Sequence, residues 1–152
     1  MYCGRRLSAL TGSPDGTLLE PWRTKIMKIA SLVARLLLGL LFLVFGLNGF
    51  LHFFPDGPPM PGLAGQFAGV LKAAHYMIPI SALEVVSALL FLANRFVPLG
   101  LVLLGPILVN ILLFHALVMP TGFQPGVVAT ALWFVIFYDK RAAFAGIFQA
   151  KA

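Results

Sequence analysis

The chain has 152 residues, of which 60% are hydrophobic and only 11% charged, against about 45–50% and 25% in an average soluble domain. A chain of this size cannot enclose so much apolar surface in one water-facing globule, and the same numbers exclude an intrinsically disordered chain. One cysteine excludes a disulfide framework and any multi-thiolate metal site, and the net charge of +6 comes from bases beside apolar blocks; that is the pattern of a membrane protein rather than of a nucleic-acid binder.

Residues 1–26 hold Gly, Ser, Thr, Pro and charges without apolar periodicity and read as a disordered tail. Met27-Lys28-Ile29 looks like a natural start, which would place that tail upstream of the native chain. The first span is expected over about 29–54, since Leu36–Phe54 contains no Asp, Glu, Lys or Arg and a bilayer core needs about 20 residues of helix. Arg35 lies at its inner margin, where an arginine can snorkel to the interface. Pro55-Asp56-Gly57-Pro58-Pro59 and Pro61-Gly62 end it. In Leu63–Tyr76 the residues Phe67, Val70, Leu71 and Ala74 recur at helical spacing. This segment reads either as an amphipathic helix in the interface plane or as the start of the second span.

The second span is expected over about 77–94, with Pro79 in its first turn and Glu84 interrupting the apolar run. Asn94-Arg95 and Pro98 mark a short connection, which makes the second and third spans antiparallel neighbours. Phe96–Tyr138 again carries no Asp, Glu, Lys or Arg. As one helix it would measure roughly 65 Å, twice the hydrocarbon thickness, so it must fold back once. Met119–Gly126 is the turn-rich place to do so, giving spans at about 98–119 and 125–141. Residues 142–152 read as a short interfacial tail, with Phe144, Ile147 and Phe148 resting on the membrane surface.

Four spans put both termini on one side, and of the eleven bases only Lys72 then falls on the other. By the positive-inside rule the terminal side is cytoplasmic. The expected fold is all-α: an integral membrane four-helix bundle, residues 27–141, multi-pass in a cell (inner) membrane.

Few side chains inside the spans can do chemistry: Asn48, His52, Glu84, Asn110 and His115, with Ser81 and Ser87 nearby. Counted along the helices, the first five lie within roughly 14 Å of the outer ends, and the inner half has no comparable set. Asn48 and His52, four apart, share a helix face; Ser81, Glu84 and Ser87, three apart, form a stripe; Asn110 and His115, five apart, diverge. An acid in hydrocarbon usually faces the interior with a partner, so Glu84, alone or with His52 or His115, is the candidate for a proton relay or ligand pocket that opens outward. The bland alternative is an interhelical hydrogen bond that fixes packing. His52 and His115 also read as amphipathic groups near span ends, and Asn48 and Asn110 as helix–helix hydrogen bonders. Two His and a Glu could hold a metal, or two His a haem, but no local spacing supports either. Gly39 and Gly46, seven apart, suit a close helix approach.

The run Arg35-Leu36-Leu37-Leu38-Gly39, then Phe45-Gly46-Leu47-Asn48-Gly49-Phe50 and His52-Phe53-Phe54-Pro55, then Glu84, Asn94-Arg95-Phe96-Val97-Pro98-Leu99-Gly100, Pro106-Ile107, Val109-Asn110-Ile111 and Phe114-His115 resembles the DoxX family of small four-span bacterial membrane proteins, over about residues 27–141. The resemblance implies the four-helix fold. It also implies a membrane subunit, or a membrane partner of a soluble redox enzyme, in a quinone-linked complex. Its polar signature falls on Asn48, His52, Glu84, Asn110 and His115. It carries over no established stand-alone activity and no assigned catalytic residue, which leaves enzyme activity open beside the role of an oxidoreductase-complex subunit, and quinone is the one small molecule it suggests. The partners to expect are the lipid bilayer and a redox protein, with no nucleic acid, and self-association of the chain is left open. The alternative is a non-enzymatic structural or assembly protein whose polar residues only fix helix packing.

Overall fold

The structure, a computed structural model, describes residues 20–55 and 59–148. Among these residues it is all-helical. The α-helices are α1 Glu20–Leu51, α2 Gly62–Ala73, α3 Met77–Leu92, α4 Val97–Leu117 and α5 Gln124–Lys140, and a 3-10 helix follows over Arg141–Phe148. Helices α1 and α4 are each long and apolar enough to cross a membrane, and α2 and α3 together would count as a third, broken span, bent by 83° at their junction.

The expected spans map onto α1, α3, α4 and α5, but the boundaries differ. Helix α1 starts at Glu20, so Glu20–Ile26 is helical rather than part of a disordered tail; residues 1–19, the rest of that expected tail, lie outside the described residues. Helices α3 and α5 have 16 and 17 residues, roughly 24–26 Å of helix, short of the about 30 Å hydrocarbon core. The interfacial-tail reading of 142–152 is corrected at Phe144. Its side chain is 8% exposed and packs on Phe137, ring centroids 5.1 Å apart, because the chain continues from α5 into the 3-10 helix and turns that ring back onto the core. Ile147 is exposed, and residues 149–152 lie outside the described residues.

The segment after the first loop is a helix of its own, set at 83° to the next. Helix α2 is distinct, and His75, with φ of 52°, breaks it from α3. Leu63, Phe67 and Val70 share one exposed apolar face of α2, while the ring of Phe67 approaches that of Phe114 with centroids 5.9 Å apart.

Helix α1 packs on α3 and α5, α4 packs on α3 and α5, and the core lies between them, with Leu38, Phe91, Leu101, Leu104 and Ile136 fully buried. In lipid such packing depends on close backbone approach more than on water exclusion. The α1–α3 seam shows it. A Cβ added at Gly46 would stand 2.9 Å from Val85 Cγ2, 3.0 Å from the Ser81 carbonyl oxygen and 3.1 Å from Glu84 Cβ. One at Gly39 would stand 3.0 Å from the Leu92 side chain. The two glycines singled out by their spacing therefore face α3. Left-handed Asn94 and Phe96, both with φ of 54°, make the tight α3–α4 turn.

Pro106 sits inside α4, where it cannot donate to the Val102 carbonyl and its ring disturbs the preceding turn. Side chains secure the helix on both sides of this break. The Trp133 indole N–H of α5 donates to the Leu101 carbonyl at 3.0 Å, and Asn110 Nδ2 donates to the Pro106 carbonyl at 2.9 Å.

Candidate functional site

Four of the five sequence-predicted side chains are bonded to backbone close by. Asn48 Oδ1 accepts the Phe54 N–H at 2.8 Å, closing the chain over the end of α1. His52 takes the left-handed position just after α1, φ 51°, where helices commonly end on glycine or asparagine. Its N–H donates to the Asn48 carbonyl at 2.9 Å and its Nδ1 lies 3.2 Å from the Phe50 carbonyl oxygen. Asn110 is the residue already described beside Pro106. His115 Nδ1 lies 3.1 Å from the Met119 carbonyl oxygen and 2.9 Å from that of Thr121. Both neighbours are acceptors, so Nδ1 must carry the proton. In the neutral ring Nε2 is then confined to accepting.

His115 also lines an open apolar cavity of about 400 Å³ with Leu112, Ala116, Pro120, Phe123 and Val127. All of these belong to α4, α5 or the turn between them. Glu84, His52, Asn48 and Asn110 do not line it, so the structure does not unite the five residues in one pocket.

Glu84 stands apart in chemistry as well as in place. It is half-buried on α3 against Gly46 of α1, and it makes no hydrogen bond or ion pair among the described residues. In the same stripe Ser81 is buried, and Ser87 is fully buried with its Oγ lacking a hydrogen-bond partner. No group of three His, Cys, Asp or Glu side chains that could hold a metal ion occurs among the described residues.

The opposite end of the molecule, where the start of α1 meets the end of α5, holds a polar set that the sequence reading passed over. Ser31 Oγ of α1 donates to Asp139 Oδ2 of α5 at 2.9 Å, and Lys140 Nζ lies 2.9 Å from the same oxygen. One turn further along α1 is Arg35. Snorkelling to the interface does not describe it: the residue is 9% exposed, and its Nε is sealed from solvent without a hydrogen-bond partner. Ser31 and Arg35 are four apart and continue the buried face of Ala34, Leu38 and Phe42. That stripe was the available signal. Its contact with Asp139, 108 residues away, was not.

No protein-family model, curated protein or solved structure matches the chain.

Proposed function

We propose that the chain is a multi-pass membrane protein of the bacterial inner membrane. Helices α1, α3, α4 and α5 would form a four-span bundle with both ends cytoplasmic, serving as the membrane subunit or partner of a quinone-linked redox complex. The DoxX resemblance supports this reading, and so does the segregation of all bases but Lys72 to the terminal side of four spans.

The observation that carries the ligand class is the cavity at His115. Apolar walls with one ring nitrogen confined to accepting suit an apolar body that presents a hydroxyl, as the reduced head group of a quinone does. A bound quinol supplies two-electron chemistry, and a partner protein takes the electrons. His115 orients the ligand hydroxyl through Nε2. Glu84, at the α1–α3 seam, does not line that cavity, so the proton of the ligand hydroxyl would be taken at His115 Nε2 and released to solvent through the open mouth. In detergent, a short-chain quinol is expected to raise the thermal midpoint of the purified protein in a saturable way, and His115→Phe to abolish that rise. An equal rise with an aliphatic compound of the same size, or an undiminished rise in His115→Phe, overturns the assignment.

A second reading, a structural or assembly protein, is favoured by the backbone hydrogen bonds of Asn48, His52, Asn110 and His115. It expects Glu84→Gln to change thermal stability without loss of any quinol response or of quinone-linked activity in the host membrane. A loss of either without loss of stability excludes it.

A further inference from the structure

We propose that the turn between α4 and α5 is a positioning device for His115. Gly122 holds the Thr121 carbonyl on one ring nitrogen, and the cavity thereby selects the reduced over the oxidised form of a quinone head group. The choice of ligand rests on the quinone reading; the setting of the ring does not.

The turn is tied at both ends. The N–H groups of Val118 and Met119 both donate to the Phe114 carbonyl, at 2.9 and 3.0 Å, and the Val127 N–H donates to the Phe123 carbonyl at 3.1 Å. Only Pro120, Thr121 and Gly122 lie between these ties, and the proline ring fixes one of their φ angles. Gly122 has φ of 76°, a left-handed setting that most L residues adopt only at a cost. Space is not what demands glycine there. A Cβ at that position would stand 3.7 Å from His115 Cε1, an ordinary contact. The demand comes from the backbone. The φ of residue 122 orients the peptide plane that joins it to Thr121, and the oxygen of that plane is the one 2.9 Å from His115 Nδ1. A residue that prefers negative φ at this point turns that oxygen away from the ring.

The ring reads the turn through this nitrogen. The Met119 oxygen, at 3.1 Å, and the Thr121 oxygen meet the same Nδ1. Two acceptors on one nitrogen are served only by an N–H, which leaves the lone pair of the neutral ring on Nε2. A quinol hydroxyl donates to that lone pair. The oxidised head group offers carbonyl oxygens alone, which are acceptors like Nε2 and gain no bond there. With the Thr121 carbonyl withdrawn, the proton is held on Nδ1 less firmly and is shared with Nε2. The ring then donates to a carbonyl as readily as it accepts from a hydroxyl, and the preference for the reduced form fades.

The test has two arms, both on the full chain in neutral detergent. In the first, without ligand, nitrogen NMR spectra of histidine-labelled protein are recorded in mildly alkaline buffer. His115→Phe identifies the His115 signals among those of the three histidines. Wild type is expected to hold the proton on Nδ1 and Gly122→Ala to show a mixture of tautomers. Gly122→Asn is expected to restore the wild-type pattern, because asparagine tolerates the left-handed backbone. In the second arm, under anaerobic conditions, thermal midpoints are titrated with a short-chain quinol and with the matching quinone. Wild type is expected to reach its half-maximal shift at about tenfold less quinol than quinone, and Gly122→Ala to lower that ratio to about twofold or less. A proton on Nε2 in wild type overturns the proposal even where Gly122→Ala does not fold. So does an unchanged tautomer and ratio in a folded Gly122→Ala. If neither compound shifts wild type while the tautomer does change in Gly122→Ala, the quinone reading and the ligand selection fall, and the positioning role of Gly122 stands.

Discussion

The two ends of this molecule treat polar side chains in opposite ways. At the end away from the chain termini, Asn48, His52 and His115 each bond to backbone within six residues and so finish a helix or hold a turn. At the end where α1 begins and α5 closes, Ser31 reaches across to Asp139 on a different helix, and Arg35 is buried with its Nε unsatisfied. Local bonds leave little donor capacity for a ligand. Long-range bonds join helices, and between them the buried Arg35 Nε is left without an acceptor. A polar residue's depth in a span is therefore a poor guide to its role; what its donors already face is a better one.

The strongest way to break the contrast is to disturb the α1–α3 seam, which runs between the two ends. Gly46→Leu forces atoms into Val85, the Ser81 carbonyl and Glu84, and the expected cost is roughly 3 kcal/mol. A thermal midpoint in detergent within error of wild type would show that α1 and α3 do not approach as described. Next is Phe144→Ala, at the terminal end. The ring is buried against Phe137, but the 3-10 helix that carries it has room to relax, so about 2 kcal/mol is expected. No measurable loss would return Phe144 to the surface.

Smaller effects sharpen the comparison. Trp133→Phe removes the indole bond to Leu101 while keeping an aromatic ring beside Phe137, and about 1 kcal/mol is expected from chemical denaturation in mixed micelles. Ser87→Ala should have the opposite sign, a gain of up to about 1 kcal/mol, because it removes a fully buried hydroxyl without a partner; a loss would reveal a bond made by that hydroxyl. Smallest is Asn48→Ala at the other end. Its bond to Phe54 closes an exposed helix terminus, so the expected loss is about 0.5 kcal/mol. It should be visible chiefly as faster amide exchange at Phe54, with the terminal end unaffected.

Much of the helix plan was legible because its signals are local. The Asn94–Pro98 turn, the fold-back near Met119–Gly126 and the glycines that let α1 approach α3 all follow from residue type at short spacing. The break between α2 and α3 was legible only as a pair of alternatives. The break itself comes from the left-handed backbone at His75, a residue type that announces no such turn. The site was read less well. Asp139-Lys140-Arg141 looked like the charged stop of an apolar run, and Phe144 beyond it like a surface aromatic. Both gain their roles from contacts with residues far off in the chain: Asp139 with Ser31, and Phe144 with the core. Glu84 was legible as an isolated acid, but its separation from the His115 cavity depends on which helices line that cavity.

Helix α2 has a consequence for how the whole molecule would ride in a lipid film. It turns 83° from α3 and leaves Leu63, Phe67 and Val70 open along one side. A short helix set crosswise with an apolar underside behaves like the float of an outrigger: it settles where water gives way to acyl chains and resists being pushed above or below that line. Helices α3 and α5 are short for a full crossing; if both span as proposed, a waterline fixed at one end would pass the mismatch to the other, where the film would thin or the hull lean.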